Sequence, residues 1–170
     1  MAQPSRQERF LSLLDEHKKI LYKVSASYSR NLADRQDLAQ EITAQLWRSF
    51  DRYDAGYAFS TWMYRIALNV AISFYRSESR RSRNTVPAGE SILEIADERG
   101  AAGTDDLLLL HTLIDQLDEL DRALVILYLD GNRYDTIAEI LGISETNVGT
   151  KLNRIKQKLR RDAARTVQIN

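Results

Sequence analysis

The chain has 170 residues, enough for one domain or two small ones, and its lack of cysteine excludes disulfides, thiolate metal sites and a thiol nucleophile. Apolar residues make up 44% of it, sufficient for compact cores, while two prolines and seven glycines argue for helix almost throughout. The formal net charge is zero but unevenly spread: residues 84–121 carry ten acids against Arg99, and residues 145–170 carry seven basic residues against Glu145 and Asp162. A local patch of this kind still attracts phosphate, because exposed charges more than ~10 Å apart are largely screened.

From Arg6 to Tyr28, Phe10, Leu13, Leu14, Ile20, Leu21, Val24 and Tyr28 recur at helical spacing, which predicts one amphipathic helix. His17 lies on the same stripe. With His111 the only other histidine, it reads as a core or boundary residue, and no metal or cofactor site is expected. Residues 34–50 predict a second helix, capped by Asp34, with Leu38, Ile42, Leu46 and Phe50 facing inward. Asp37 and Glu41 stack on its outer face beside a stripe of Gln40, Ala44 and Trp47. Two carboxylates without further ligands read as a solvated face, but an aromatic flanked by charges suits protein docking.

Residues 51–59 form a loop in which Asp54-Ala55-Gly56 is turn chemistry and Tyr53, Tyr57 and Phe59 are aromatic. Ser60 is expected to cap a third long helix, with Phe59 and Tyr64 as a hydrophobic staple. Met63, Ile66, Ala67, Val70 and Phe74 make its buried face. Trp62, Arg65, Asn69, Ser73 and Arg76 share another face that runs into Arg80, Arg81 and Arg83. Aromatics beside a basic track hold single-stranded nucleic acid, at ~1–3 kcal/mol per stacked base. Trp62 suits that platform and the core equally.

Residues 84–104, with Pro87, three glycines and several acids, have the composition of a linker reaching at most ~70 Å. Helices are then expected over 105–117 and 119–130, ended by Gly131. Leu107, Leu110, Ile114, Leu117, Leu120, Leu124 and Leu127 would be their core.

The last segment, YDTIAEILGISETNVGTKLNRIKQKLRR (134–161), carries the sharpest pattern. A short helix with Ile137, Ala138, Ile140 and Leu141 meets Gly142, where the chain needs a positive φ. Ser144 follows as N-cap, with Ile143 and Val148 placed as a staple. The second helix buries Val148, Leu152, Ile155 and Leu159 and offers Asn147, Thr150, Lys151, Asn153, Arg154, Lys156 and Lys158 on its other side. A helix, a glycine turn and a polar-basic second helix make a helix-turn-helix, whose second helix fits the major groove of DNA. An ordinary helical hairpin with a solvated basic face is the plainer alternative. Glycine, cap and staple falling in register favour DNA.

Two stretches carry a resemblance. DLAQEITAQLWRSFDRYD with FSTWMYRIALNVAISFYR (within 37–76) resembles region 2 of bacterial RNA polymerase sigma factors. LDELDRALVILYLDGNRYDTIAEILGISETNVGTKLNRIKQKLR (117–160) resembles their region 4. Their order and the short interval between them are similar to the extracytoplasmic-function (ECF) subfamily. The resemblance implies an all-α fold of two small helical domains, region 2 at 1–83 and region 4 at 105–170, joined by the acidic linker 84–104.

It also assigns roles to the faces. Asp37, Gln40, Glu41 and Trp47 fall where the family docks on the clamp helices of the largest catalytic subunit of core RNA polymerase, and region 4 would meet the flap of the other large subunit. Tyr57, Phe59, Trp62, Arg65, Asn69, Ser73, Arg76 and Arg80 fall where promoter −10 DNA is recognised and melted. Ser144, Asn147, Thr150, Lys151, Arg154 and Lys158 fall at the −35 element. An anti-sigma factor is the expected regulator. Arg133 and Gly149 depart from the family pattern. Asn132 could replace Arg133 as a cap, and Gly149 either lets the backbone approach DNA or is simply tolerated, at ~1 kcal/mol against alanine.

The expectation is a promoter-specificity subunit and not an enzyme. No apolar signal core opens the chain and no run reaches the ~18 apolar residues of a membrane span, so a cytoplasmic location is expected. A free-standing helix-turn-helix regulator would leave the Trp62 strip and the Asp37/Glu41/Trp47 face unexplained. An adaptor using the fold only for protein contact would bind polymerase without melting DNA.

Overall fold

A computed structural model describes residues 3–82 and 105–169, which fall into two compact helical units; the acidic stretch 84–104 lies outside the described residues. The described elements are α1 (Arg6–Glu16), α2 (Lys18–Ser27), α3 (Leu32–Ser49), a short 3-10 turn (Phe50–Arg52) and α4 (Phe59–Ser82) in the first unit. The second holds α5 (Asp105–Asp115), α6 (Glu119–Leu129), α7 (Tyr134–Leu141) and α8 (Glu145–Ile169). Among the described residues there is no strand, and no helix is long and apolar enough to cross a membrane.

The predicted single helix over 6–28 is two helices. A capping box starts α1: the Ser5 hydroxyl accepts from the Glu8 N–H at 3.2 Å, and the Glu8 carboxylate accepts from the Ser5 N–H at 2.7 Å. These bonds hold the Glu8 carboxyl below its usual range. The break comes at His17 (φ −109°, ψ 14°), whose Nδ1 sits 2.9 Å from the Leu13 carbonyl and whose ring lies 5.1 Å from Phe59. The bend lets Phe10 face Trp47 and Phe50, while Ile20, Leu21 and Val24 enter the α2–α3–α4 core.

Leu38, Ile42, Leu46 and Phe50 are buried as the four-residue spacing requires. Full burial of each such side chain stabilises the fold by roughly 1.5–3 kcal/mol. The cap of α3 is Asn31 rather than Asp34. Its side-chain oxygen accepts from the Asp34 N–H at 2.8 Å, and its amide donates to the Asp34 carboxylate at 3.0 Å. Ser60 likewise does not cap α4. It stands one residue inside the helix, and the first helical bond, Trp62 N–H to the Ala58 carbonyl (3.3 Å), puts Ala58, whose methyl side chain cannot accept a hydrogen bond, at that position.

The second unit closes around Leu113, Leu117, Leu124, Leu127, Ile137, Val148, Leu152 and Ile155, all buried. Leu107, expected in this core, is 50% exposed because it precedes the turns of α5 whose Leu113 and Ile114 are covered. Asp118 caps α6, accepting from the Asp121 N–H at 2.8 Å. Arg122 is only 4% exposed. Its Nη2 donates to the carbonyls of Asp115 (2.7 Å) and Leu117 (3.3 Å), satisfying groups that the end of α5 leaves open.

Candidate nucleic-acid interface

The turn between α7 and α8 is built as the local sequence demands. Gly142 adopts the left-handed conformation (φ 67°, ψ 33°), and the N–H groups of Gly142 and Ile143 both donate to the Ala138 carbonyl, at 2.9 and 3.2 Å. The Ser144 hydroxyl accepts from the Asn147 N–H at 3.1 Å, so this side chain is engaged in starting α8. Asn132 does not cap α7. Its side-chain amide donates to the Leu127 carbonyl at 2.9 Å, closing the end of α6 instead, and α7 starts at Arg133 without a side-chain cap.

Val148, Leu152 and Ile155 anchor α8, leaving Asn147, Thr150, Asn153, Arg154 and Lys158 exposed on the opposite side. Lys151 is half-buried at the flank of that face. Lys151 and Lys158 both act on the Asp121 carboxyl of α6, yet burial and the neighbouring Asp118 still push that carboxyl above its usual range. Lys156 turns to the other flank, with Nζ 3.1 Å from the Tyr128 hydroxyl and 4.2 Å from its ring centroid. Gly149 faces inward: a Cβ built there would lie 3.5 Å from Tyr134 Cε2, an ordinary contact. Of its two readings, that orientation favours a glycine that is simply tolerated over one that lets the backbone approach DNA. It packs α7 against α8.

In the first unit, Arg65, Asn69, Ser73, Arg76 and Arg80 line one exposed side of α4, and Tyr57 is exposed in the loop before it. The Tyr57 backbone is held by the Tyr53 hydroxyl, which donates to its carbonyl at 2.9 Å. Phe59 differs from its expected role. It is 5% exposed, with its ring centroid 5.3 Å from both Tyr53 and Trp62, so no face is left for a base. Trp62 is half-buried, its ring centroid 6.3 Å from Phe50, 5.1 Å from Tyr53 and 5.3 Å from Phe59.

Asp37, Gln40 and Glu41 are exposed on α3, whereas Trp47 lies half-buried beneath α1. The Phe10 ring meets it edge-on at 5.1 Å, and the Arg6 guanidinium carbon sits 3.8 Å from its ring centroid. An open groove of about 620 Å³ runs beside it, lined by Phe10, Leu11, Gln40, Ala44 and Trp47 among others. A second groove, of about 500 Å³, joins Glu41 and Gln45 of α3 to Asn69 and Ser73 of α4, with Ile66, Val70 and Phe74 as its apolar lining. Sequence periodicity had put Glu41 and Asn69 on unrelated faces; the α3–α4 packing makes them neighbours across one groove. Arg6 and Arg122 carried no sequence signal of their parts, since each looks like an ordinary surface cation.

Comparison with known proteins agrees with this geometry. Residues 13–81 match Sigma-70 region 2, and residues 107–159 match Sigma-70 region 4. The chain is 28% identical over 156 residues to the ECF RNA polymerase sigma factor SigE of Mycolicibacterium smegmatis, covering 87% of this chain and 59% of that one. It is 28% identical to SigW of Bacillus subtilis over 166 residues, 91% of this chain and 89% of SigW. Among solved structures it resembles CnrH in complex with the cytosolic domain of CnrY (TM-score 0.69, 21% identity, covering 93% of this chain and 89% of that one). It also resembles the sigma factor RpoE of Bartonella quintana in complex with the anti-sigma factor NepR (TM-score 0.63, 21% identity, covering 91% and 94%). With both regions present in order around the geometry described, the chain belongs to the ECF RNA polymerase sigma factors, the subunits that direct promoter-specific transcription initiation.

Proposed function

We propose that residues 1–83 dock on core polymerase and open −10 DNA, that 84–104 serve as linker, and that 105–170 read the −35 element and meet the flap. The exposed polar-basic side of α8, fixed by the Gly142 turn and the Ser144 cap, is the observation that carries this reading. Asn147, Thr150 and Arg154 are placed for base edges in the major groove, and Lys151 and Lys158 for phosphates beside them. Arg65, Asn69, Ser73, Arg76 and Arg80 form the −10 track, joined by Tyr57 and the half-buried Trp62. Melting takes bases out of the stack at a few kcal/mol each, so pockets that receive them matter more than a basic surface alone.

Asp37, Gln40 and Glu41 are the docking residues for the clamp helices, and Trp47 supports them from beneath α1. Two weak sites on one linked chain bind well together by effective concentration. A cytoplasmic location follows from the polymerase partner. The Bartonella relative in complex with NepR supports an anti-sigma factor as regulator of this chain.

Run-off transcription with purified core polymerase, with and without this chain, on fragmented DNA from its own genome tests the proposal. Discrete new transcripts, whose upstream sequences align at two elements, are expected. Absence of both transcripts and a stable complex with core refutes it. A stable complex without transcripts leaves only the adaptor role.

A further inference from the structure

Helix α8 runs to Ile169, ten residues beyond the stretch that matches region 4. Its last well-buried core residue is Ile155, yet the helix continues with Asp162 and Ala163 half-buried on the inward side and Arg160, Arg161 and Arg165 exposed. The helix dipole does not account for these arginines, because its pull on cations falls off within the last turn and that turn of α8 holds no basic residue. Asn147, Lys151, Arg154, Lys158, Arg161 and Arg165 recur at alternating steps of four and three, so they share one stripe along the helix. The only acid between 151 and 165 is Asp162. At 1.5 Å per residue the stripe is about 27 Å long, whereas the major groove is ~12 Å wide. Only the first part of such a helix fits among bases, and its far end must pass over the phosphate rim.

We propose that Arg161 and Arg165 form a phosphate clamp beyond the recognition surface, gripping the DNA backbone that borders the −35 groove without reading its sequence. This rests on the −35 reading of α8 and extends it to a segment outside the family match. Each phosphate neutralised by a cation steepens the dependence of log affinity on log salt by ~0.9. A two-residue clamp therefore contributes a slope of about 1.8.

The test uses holoenzyme, core polymerase with the full chain, on a promoter fragment recovered by run-off transcription. Binding is titrated across a salt series, and again on the fragment with a scrambled −35 element. Arg161→Gln/Arg165→Gln is expected to make the slope shallower by about 1.8 while leaving the ratio between the two fragments unchanged. Arg161→Lys/Arg165→Lys should keep the slope. Arg160→Gln, off the stripe, should leave it nearly intact. An unchanged slope in the glutamine double variant overturns the clamp, and if transcription falls all the same, the stripe contacts protein instead. An equal fall with Arg160→Gln also overturns it, leaving only general charge. Arg154→Ala separates the two ideas: if it abolishes −35 discrimination while the double variant leaves the slope untouched, the clamp fails and the −35 reading stands.

Discussion

Arg6 and Trp47 are locked together across the α1–α3 contact: the guanidinium lies over the indole at 3.8 Å, and Arg6 Nη2 donates to the Trp47 carbonyl at 3.0 Å. The same arginine pairs with Asp51 at 2.6 Å, so one side chain ties α1 to the end of α3 and to the turn after it. Exposed cation–π contacts contribute ~0.5–1 kcal/mol and exposed ion pairs less than about 1 kcal/mol. Arg6→Ala should therefore destabilise the first unit by about 1–2 kcal/mol. Trp47→Ala, which also uncovers Phe10, should cost roughly 2–4 kcal/mol. Urea unfolding of both variants checks this, and a Trp47→Ala protein as stable as the parent would return Trp47 to a purely docking role.

Asp37 stands apart from that packing. It is exposed on α3 and takes no part in the aromatic contacts around the indole. Asp37→Arg should abolish binding to core polymerase in a pull-down while the melting midpoint stays within about a degree, since surface substitutions of this kind usually move stability by no more than ~0.5 kcal/mol. Weak binding accompanied by a lower melting midpoint would mark the residue as structural.

Elements whose logic is local were legible in the sequence. The Gly142 turn, the Ser144 cap and the inward run Leu38-Ile42-Leu46-Phe50 each follow from neighbours a few residues away, and each stands as read. Features set by distant partners were not. The stripe through 6–28 fits one helix, and only the packing of His17 on Phe59 calls for the break. Trp47 faces outward on an isolated α3, and α1 covers it from 41 residues away. Phe59 is assigned to −10 DNA by the family resemblance; Tyr53 and Trp62 enclose it. Arg122 is buried against the expectation for any arginine.

Burial pushes the Asp115 carboxyl above its usual range, more than the nearby charges of Arg122 and His111 pull it down. An acid with a raised folded pKa contributes stability when protonated, and loses that contribution as pH rises through the folded value. Asp115→Asn should accordingly stabilise the second unit near pH 7. The advantage should vanish below about pH 4, where the parent carboxyl is neutral in both states. Thermal melts between pH 3 and 7 give the sign, and an asparagine variant less stable at pH 7 would show that the attraction to Arg122 outweighs desolvation.

Gly149 costs α8 conformational entropy, and a Cβ added to it would face Tyr134 at ordinary contact distance. Alanine fits there. Gly149→Ala should stabilise the second unit by up to ~1 kcal/mol, a rise of about 4–8 °C in its melting midpoint, with promoter selectivity unchanged. Gly149→Arg must displace the Tyr134 ring and should destabilise it. A change of −35 preference in the alanine variant would mean that position 149 reaches DNA after all.

Arg154 is the cation of α8 best placed to read a base. It is exposed near the middle of the outward face, away from Asp121, which draws on Lys151 and Lys158, and from Tyr128, which holds Lys156. A bidentate arginine–guanine contact discriminates by ~1–3 kcal/mol, so Arg154→Ala should weaken the preferred −35 sequence over its single-base variants by roughly 5- to 150-fold in holoenzyme binding. A phosphate contact would behave differently, weakening every sequence alike and making the salt slope shallower by ~0.9. The two outcomes separate the residue that specifies from the residues that only grip, and they do so at an exposed position of the helix.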